Sequence, residues 1–137
     1  MKRILVSALI VIIATSVVAF TFREGPLNAD IRKDKIVVDD TTRNYRVVVP
    51  HETIRPTPVV FAFHGIGDST DSMSAYSRLD RTAARNGFIL IYPAALNSMW
   101  STIDSGSSDL ETNPDVRFFD QLLAHLTSAY DIDRDRI

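Results

Sequence analysis

The sequence predicts an α/β fold with a doubly wound, mostly parallel sheet. Two observations carry that expectation. Val59-Val60-Phe61-Ala62-Phe63 and Phe88-Ile89-Leu90-Ile91-Tyr92-Pro93 are continuous apolar runs bounded by turn residues, the pattern of strands buried on both faces. Each run is followed by a segment with apolar residues at helical spacing, and strands alternating with amphipathic helices indicate βαβ units.

At the N-terminus, Lys2-Arg3 precede an apolar run from Ile4 to Phe20 that ends near Val17-Val18-Ala19. Residues 1–19 are therefore expected to be a signal peptide, giving a secreted or periplasmic product. The alternative is a short membrane anchor over 4–20, and a membrane is expected as a partner only if that segment stays uncleaved. Residues 20–35 read as a polar tether, and 36–137 as the folded part.

In the folded part, Arg43 to Pro50 alternates polar and apolar residues before turning β-branched. It predicts a strand near a sheet edge, with Ile36-Val37-Val38 as a hairpin partner. A first helix is expected with Asp71 or Ser72 as cap, an apolar face of Met73, Tyr76, Leu79 and Ala83, and a stop at Asn86-Gly87. The stretch from Ala94 to Pro114 has no periodicity and is longer than a structural connection needs. A second helix follows, with Asn113 as cap, Pro114 at the first position, Asp115 at the positive end of the dipole and a stripe of Val116, Phe119, Leu122, Leu123, Leu126 and Tyr130. Arg136-Ile137 looks like the first step of another strand.

With 137 residues, 45% hydrophobic and 23% charged, the chain is at most one ordinary globular domain. A net charge of −2 with scattered basic residues gives no support for nucleic acid as a partner. The absence of cysteine excludes disulfides, thiol catalysis and thiolate-bound zinc. Asp131, Asp133 and Asp135 have the spacing that opens a calcium loop, but the required Gly and Glu are missing. A solvated turn is the better reading, and no metal is expected.

In open α/β sheets ligands bind at the carboxyl ends of the strands, so the loops after Phe63 and Tyr92 are the informative ones. His64-Gly65-Ile66-Gly67 directly follows the first buried run. Glycines there let backbone N–H groups face a cleft unobstructed, although an ordinary strand-to-helix turn can look the same. Trp100, the only tryptophan, lies in the second loop. It can stack on an aromatic or sugar part of a substrate, or pin the loop to the body.

The ordered set Tyr45-Arg46-Val47-Val48-Val49-Pro50, Val59 to Ser69, Leu79-Asp80, Ala84-Arg85-Asn86-Gly87-Phe88, Tyr92-Pro93-Ala94, Trp100, Asp115-Val116-Arg117-Phe118 and Tyr130 to Ile137 resembles the polyhydroxybutyrate depolymerase and feruloyl esterase group of secreted α/β-hydrolases. The likeness runs from about Arg43 to Ile137. It implies a partial α/β-hydrolase fold and a serine carboxylic-ester hydrolase with a Ser-His-Asp triad, which needs no cofactor.

The resemblance also implies that the backbone N–H of Ile66 is an oxyanion-hole donor, with Gly65 and Gly67 shaping the turn. Such a donor is worth about 3–4 kcal/mol to a tetrahedral intermediate. Many relatives carry Cys where Ile66 stands, a difference that a backbone donor tolerates. His64 is expected to be structural, and Trp100 to be the substrate-binding candidate.

The sequence contains no Gly-x-Ser-x-Gly, and Gly106-Ser107-Ser108-Asp109-Leu110 breaks that pattern at its last position. The expectation is therefore an N-terminal fragment that stops before the nucleophile elbow and supplies the oxyanion loop but none of the triad. Its partner would be an ester: a polyester, a feruloylated polysaccharide or a small acyl ester. The other readings are a non-catalytic exported or membrane-anchored binding module, or another α/β-hydrolase such as a peptidase or thioesterase.

Overall fold

The computed structural model describes residues 25–101, 110 and 112–137. The expected signal peptide and the first part of the tether lie outside them. Among the described residues, no helix is long and apolar enough to cross a membrane.

The chain opens with a hairpin of β1 (Ala29–Val38) and β2 (Thr41–Pro50). Asp39 and Asp40 between them both have positive φ, 48° and 60°. That is the conformation of a two-residue hairpin turn whose twist matches its strands, and aspartate tolerates it better than most residues. β1 is longer than the sequence suggests, because Ala29 to Lys35, read there as tether, pair with the far half of β2. Nearly all of this stretch is exposed, so it shows no apolar alternation. Its lysines and aspartates suit an edge strand, where charge deters pairing with other chains.

β3 (Val59–Phe61) and β4 (Ile89–Pro93) complete a mixed sheet of order β1-β2-β4-β3, in which β3 and β4 run parallel and β2 and β4 antiparallel. β4 is central and wholly buried. Its side chains alternate between two cores: Ile89 and Ile91 join one, Leu90 and Tyr92 the other. This is the strand buried on both faces that its sequence predicts.

β3 is shorter than its apolar run and lies at the sheet edge, so Val60 and Phe63 remain 39% and 47% exposed. Its outer side is paired only at the start: Thr57 bridges Ile132, and the Val59 N–H donates to the Arg136 carbonyl at 3.0 Å.

The expected first helix is two helices, α1 (Thr70–Ser77) and α2 (Leu79–Asn86), broken at Arg78 with φ 55°. The cap is Ser69, not Asp71 or Ser72. Ser69 and Ser72 form a reciprocal capping box, each side chain bonding the other's backbone N–H. The break turns α1 away from the face expected for one continuous helix. Ala83 is buried, Met73 and Leu79 pack beside it, and Tyr76 is exposed.

Gly87 ends α2 at φ 69°, and a Cβ there would sit 3.1 Å from the Glu52 carbonyl. Left-handed backbone disfavours any residue with a Cβ. Gly87→Ala is expected to lower stability by about 1–2 kcal/mol in urea unfolding, from the backbone conformation alone.

α3 (Pro114–Ala129) begins as expected, with the Asn113 side chain accepting the N–H groups of Asp115 and Val116. It packs Phe118, Leu122 and Leu126 into the core of Ile89 and Ile91. The buried stripe is thus rotated from the predicted one, since Phe118 goes inward and Phe119 lies beside Phe61 and Phe63. With α1 and α2 on the other core, both faces of the sheet carry helices, the doubly wound arrangement.

Tyr92 donates to Asp80 at 2.7 Å, and Asp80 also receives Arg46 at 2.5 Å and Ser74 at 2.9 Å. Burial, then the bond to Asp80, raises the Tyr92 hydroxyl to about 12; burial and Asp34 raise Tyr45 to about 12. The unfolded chain releases both protons near the ordinary tyrosine value of about 10, while the folded chain holds them. The stability that these two groups contribute is therefore full below pH 10 and is lost as pH rises from 10 through about 12. Urea midpoints measured between pH 9 and 12 check this, and Tyr45→Phe with Tyr92→Phe should flatten the fall.

Candidate functional site

The carboxyl ends of β3 and β4 lie side by side because the two strands are parallel neighbours. The loops that follow them consequently meet, and Gly65, Ile66, Gly67 and Trp100 come together there. The Gly67 N–H donates to the Ser98 carbonyl at 2.8 Å, and the Asp68 N–H to the Gly65 carbonyl at 3.2 Å. Those two amides are committed within the loops. The N–H groups of Gly65 and Ile66 have no hydrogen-bond partner among the described residues.

Gly67 has φ +77°, so glycine is needed there for its backbone. Gly65 has no such φ, and a Cβ on it would meet nothing within 4 Å. The Ile66 side chain points outward and is 74% exposed, so its packing places no demand on residue type. Asp68 stands at the start of α1, held below the ordinary carboxylate range by the Ser72 hydroxyl and then by the Ser69 N–H.

His64 is buried beneath this turn. Its Nε2 accepts the Ala95 N–H at 3.1 Å, which leaves Nδ1 to carry the proton and donate to the Gly65 carbonyl at 2.8 Å. Both ring nitrogens are engaged within the protein, an arrangement suited to structure and not to general-base work.

Trp100 is half-buried. Its indole N–H donates to the His64 carbonyl at 2.8 Å, and its ring meets Phe63 edge-on with centroids 5.3 Å apart. It thus pins the second loop to the first. It also lines, with Phe63, Val116 and Phe119, an open and mostly apolar cavity of about 540 Å³.

The polar wall of that cavity is a feature the sequence hid. Asp115 binds Arg43 at 2.5 Å and receives the Ser101 N–H at 2.5 Å. Arg43 is only 2% exposed, although it sits in a strand predicted to be near an edge. Its guanidinium lies 4.1 Å from the Phe118 ring centroid. As a helix-start aspartate Asp115 has a sufficient local explanation, and nothing in one sequence points from it to a residue so far back. Residues 102–109 lie outside the described residues. Among those described, no group of three or more His, Asp or Glu is placed to hold a metal ion.

No family model matches this chain, and no curated protein matches it in sequence. Its fold does match solved structures. A ferulic acid esterase superimposes with a TM-score of 0.55 at 15% identity, over 81% of this chain and 49% of that one. FphF of Staphylococcus aureus, a fluorophosphonate-binding serine hydrolase, gives a TM-score of 0.59 at 12% identity, over 80% of this chain and 44% of that one. The S-formylglutathione hydrolase FrmB from the same organism gives a TM-score of 0.58 at 14% identity, over 77% and 43%. The chain spans less than half the length of each of these structures. At such identities the likeness concerns the fold alone, which is that of part of an α/β-hydrolase.

Proposed function

We propose that this chain is the N-terminal half of an exported serine carboxylic-ester hydrolase of the polyhydroxybutyrate depolymerase and feruloyl esterase type, and that it supplies the oxyanion loop but not the triad. The observation that carries this reading is the Ile66 N–H after β3, which like the Gly65 N–H has no hydrogen-bond partner among the described residues, beside a Gly67 N–H that is already bonded. In this fold the loop after that strand provides one oxyanion donor, and the residue following the nucleophile provides the other. Residues 1–19 direct export, and Ala19 precedes the mature N-terminus.

In that scheme a serine hydroxyl from the other half adds to the ester carbonyl while a histidine takes its proton. The carbonyl oxygen gains the negative charge and accepts the Ile66 N–H. On collapse the histidine gives that proton to the departing alcohol, leaving an acyl-serine, which water then hydrolyses with the histidine again taking the proton and returning it to the serine. The open apolar cavity beside Trp100 is suited to an apolar part of the ester, within a polyester, a feruloylated polysaccharide or a small acyl ester.

The test is hydrolysis of a p-nitrophenyl ester. The 137-residue chain is expected to give only the background rate. The chain joined to a following segment that carries Gly-x-Ser-x-Gly, an acid and a histidine is expected to give turnover and to react with a fluorophosphonate. Turnover by the chain alone would overthrow this reading, and so would the lack of any such segment in the coding sequence after Ile137.

A further inference from the structure

Among the described residues, the loops after β3 and β4 are joined through three hydrogen bonds and two ring contacts, Phe63 with Trp100 and His64 with Trp100. Two of the bonds belong to His64, which is 4% exposed: the Ala95 N–H to its Nε2, and the Trp100 indole N–H to its carbonyl. The third runs from the Gly67 N–H to the Ser98 carbonyl. The rings of His64 and Trp100 lie 5.2 Å apart, tilted by 41°.

The Ser98 carbonyl is presented by an unusual stretch of backbone. Asn97 and Ser98 are consecutive non-glycine residues with φ of 50° and 58°. Left-handed backbone at such residues is unfavourable and persists only where surrounding contacts hold it. Here the Met99 N–H closes the stretch on the Leu96 carbonyl at 3.0 Å, and the Ser98 carbonyl is tied to the turn at 64–67 by the Gly67 N–H. The imidazole adds the link that orients the first loop. By donating to the Gly65 carbonyl at 2.8 Å, where the Asp68 N–H also donates at 3.2 Å, it helps to fix the peptide between Gly65 and Ile66, whose nitrogen is the Ile66 N–H. A peptide is planar, so holding its oxygen on the His64 side directs its N–H to the opposite side.

We infer that His64 is a positioning residue: its Nδ1–H, kept in place by the Ala95 N–H on Nε2, sets the Gly65–Ile66 peptide so that the Ile66 N–H is presented to a ligand. The catalytic use of that N–H rests on the esterase reading above, but the positioning itself does not.

The test uses nitrogen-15 NMR of the full 137-residue chain. In the unmodified chain, the His64 ring is expected to show a protonated Nδ1 and an unprotonated, hydrogen-bonded Nε2. In His64→Leu, amide exchange at Ala95 and Gly67 is expected to speed up about tenfold, the effect of losing roughly one hydrogen bond. The Ile66 amide and Trp100 indole resonances should shift with it. His64→Gln, whose amide can both accept and donate, is expected to recover most of both effects.

A ring protonated on Nε2 would overturn the inference, and that measurement needs no variant to fold. Unchanged exchange at Ala95 and Gly67 in a folded His64→Leu chain would overturn it as well. A complete enzyme without ester hydrolysis, but with this amide pattern intact, would sink the esterase reading and leave the positioning role standing.

Discussion

Ile66→Pro in the catalytically complete enzyme is expected to lower kcat for a p-nitrophenyl ester by about 10²–10³-fold, the loss that follows removal of one oxyanion-hole donor. Proline is the substitution that deletes the backbone N–H itself, and the preceding Gly65 tolerates the restriction that proline imposes on its neighbour. Ile66→Ala keeps the N–H and removes a side chain that is mostly exposed. Its kcat should stay close to that of the parent. KM should change little in both, because the donor acts on charge that develops in the transition state. Steady-state kinetics on the two variants, with circular dichroism to confirm folding, makes the comparison. A folded proline variant with parental kcat would remove Ile66 from the mechanism.

Asp115→Ala is expected to lower stability by about 3–5 kcal/mol, the range for breaking a buried ion pair from one side. Arg43 is 2% exposed in the parent, and without Asp115 its guanidinium keeps as polar partners among the described residues only the Pro114 and Ala94 carbonyls at 3.4 and 3.5 Å. It also strips the Ser101 N–H of its acceptor. Domains are stable by about 5–15 kcal/mol in total, so the chain should sit near its unfolding threshold. Removing both partners is a different matter. Arg43→Met with Asp115→Leu eliminates the stranded charge, and it should lose much less than Asp115→Ala alone. Urea unfolding of the two variants and the parent decides. Equal losses would mean that the pair contributes through packing and not through charge.

Both predictions concern residues whose roles were unequally visible in the sequence. β4 was legible because an unbroken apolar run has few uses other than a strand buried on both faces, and Ile89 to Tyr92 alternate between two cores. The start of α3 was legible because a cap, a proline and an aspartate each satisfy a local requirement. β1 was only partly so. Its pairing is made by backbone, and its exposed side chains obey no pattern. The break at Arg78 was also hidden, since arginine carries no signal for left-handed backbone.

The site divides in the same way. His64 to Gly67 could be read as a loop of backbone donors, because glycines after a buried strand are a local pattern, and their nearness to Trp100 follows from the parallel pairing of β3 and β4. The Arg43–Asp115 pair spans two elements far apart in sequence, and only the fold connects them. The same holds for the Asn97-Ser98 turn, whose tie to the first loop runs through the Ser98 carbonyl and the Gly67 N–H.

The two-aspartate turn between β1 and β2 has a consequence for the order of folding. Only Asp39 and Asp40 separate ten paired positions, so the loss of chain entropy on closing that loop is small. Hairpins of this kind form in about 1–10 μs. β4 needs β2 as its antiparallel neighbour, and β3 joins only through β4. The hairpin is thus a local template on which the remaining strands assemble in space as β4, then β3. Substitutions in the turn should act mainly on the folding rate, and substitutions at the β3 edge mainly on the unfolding rate.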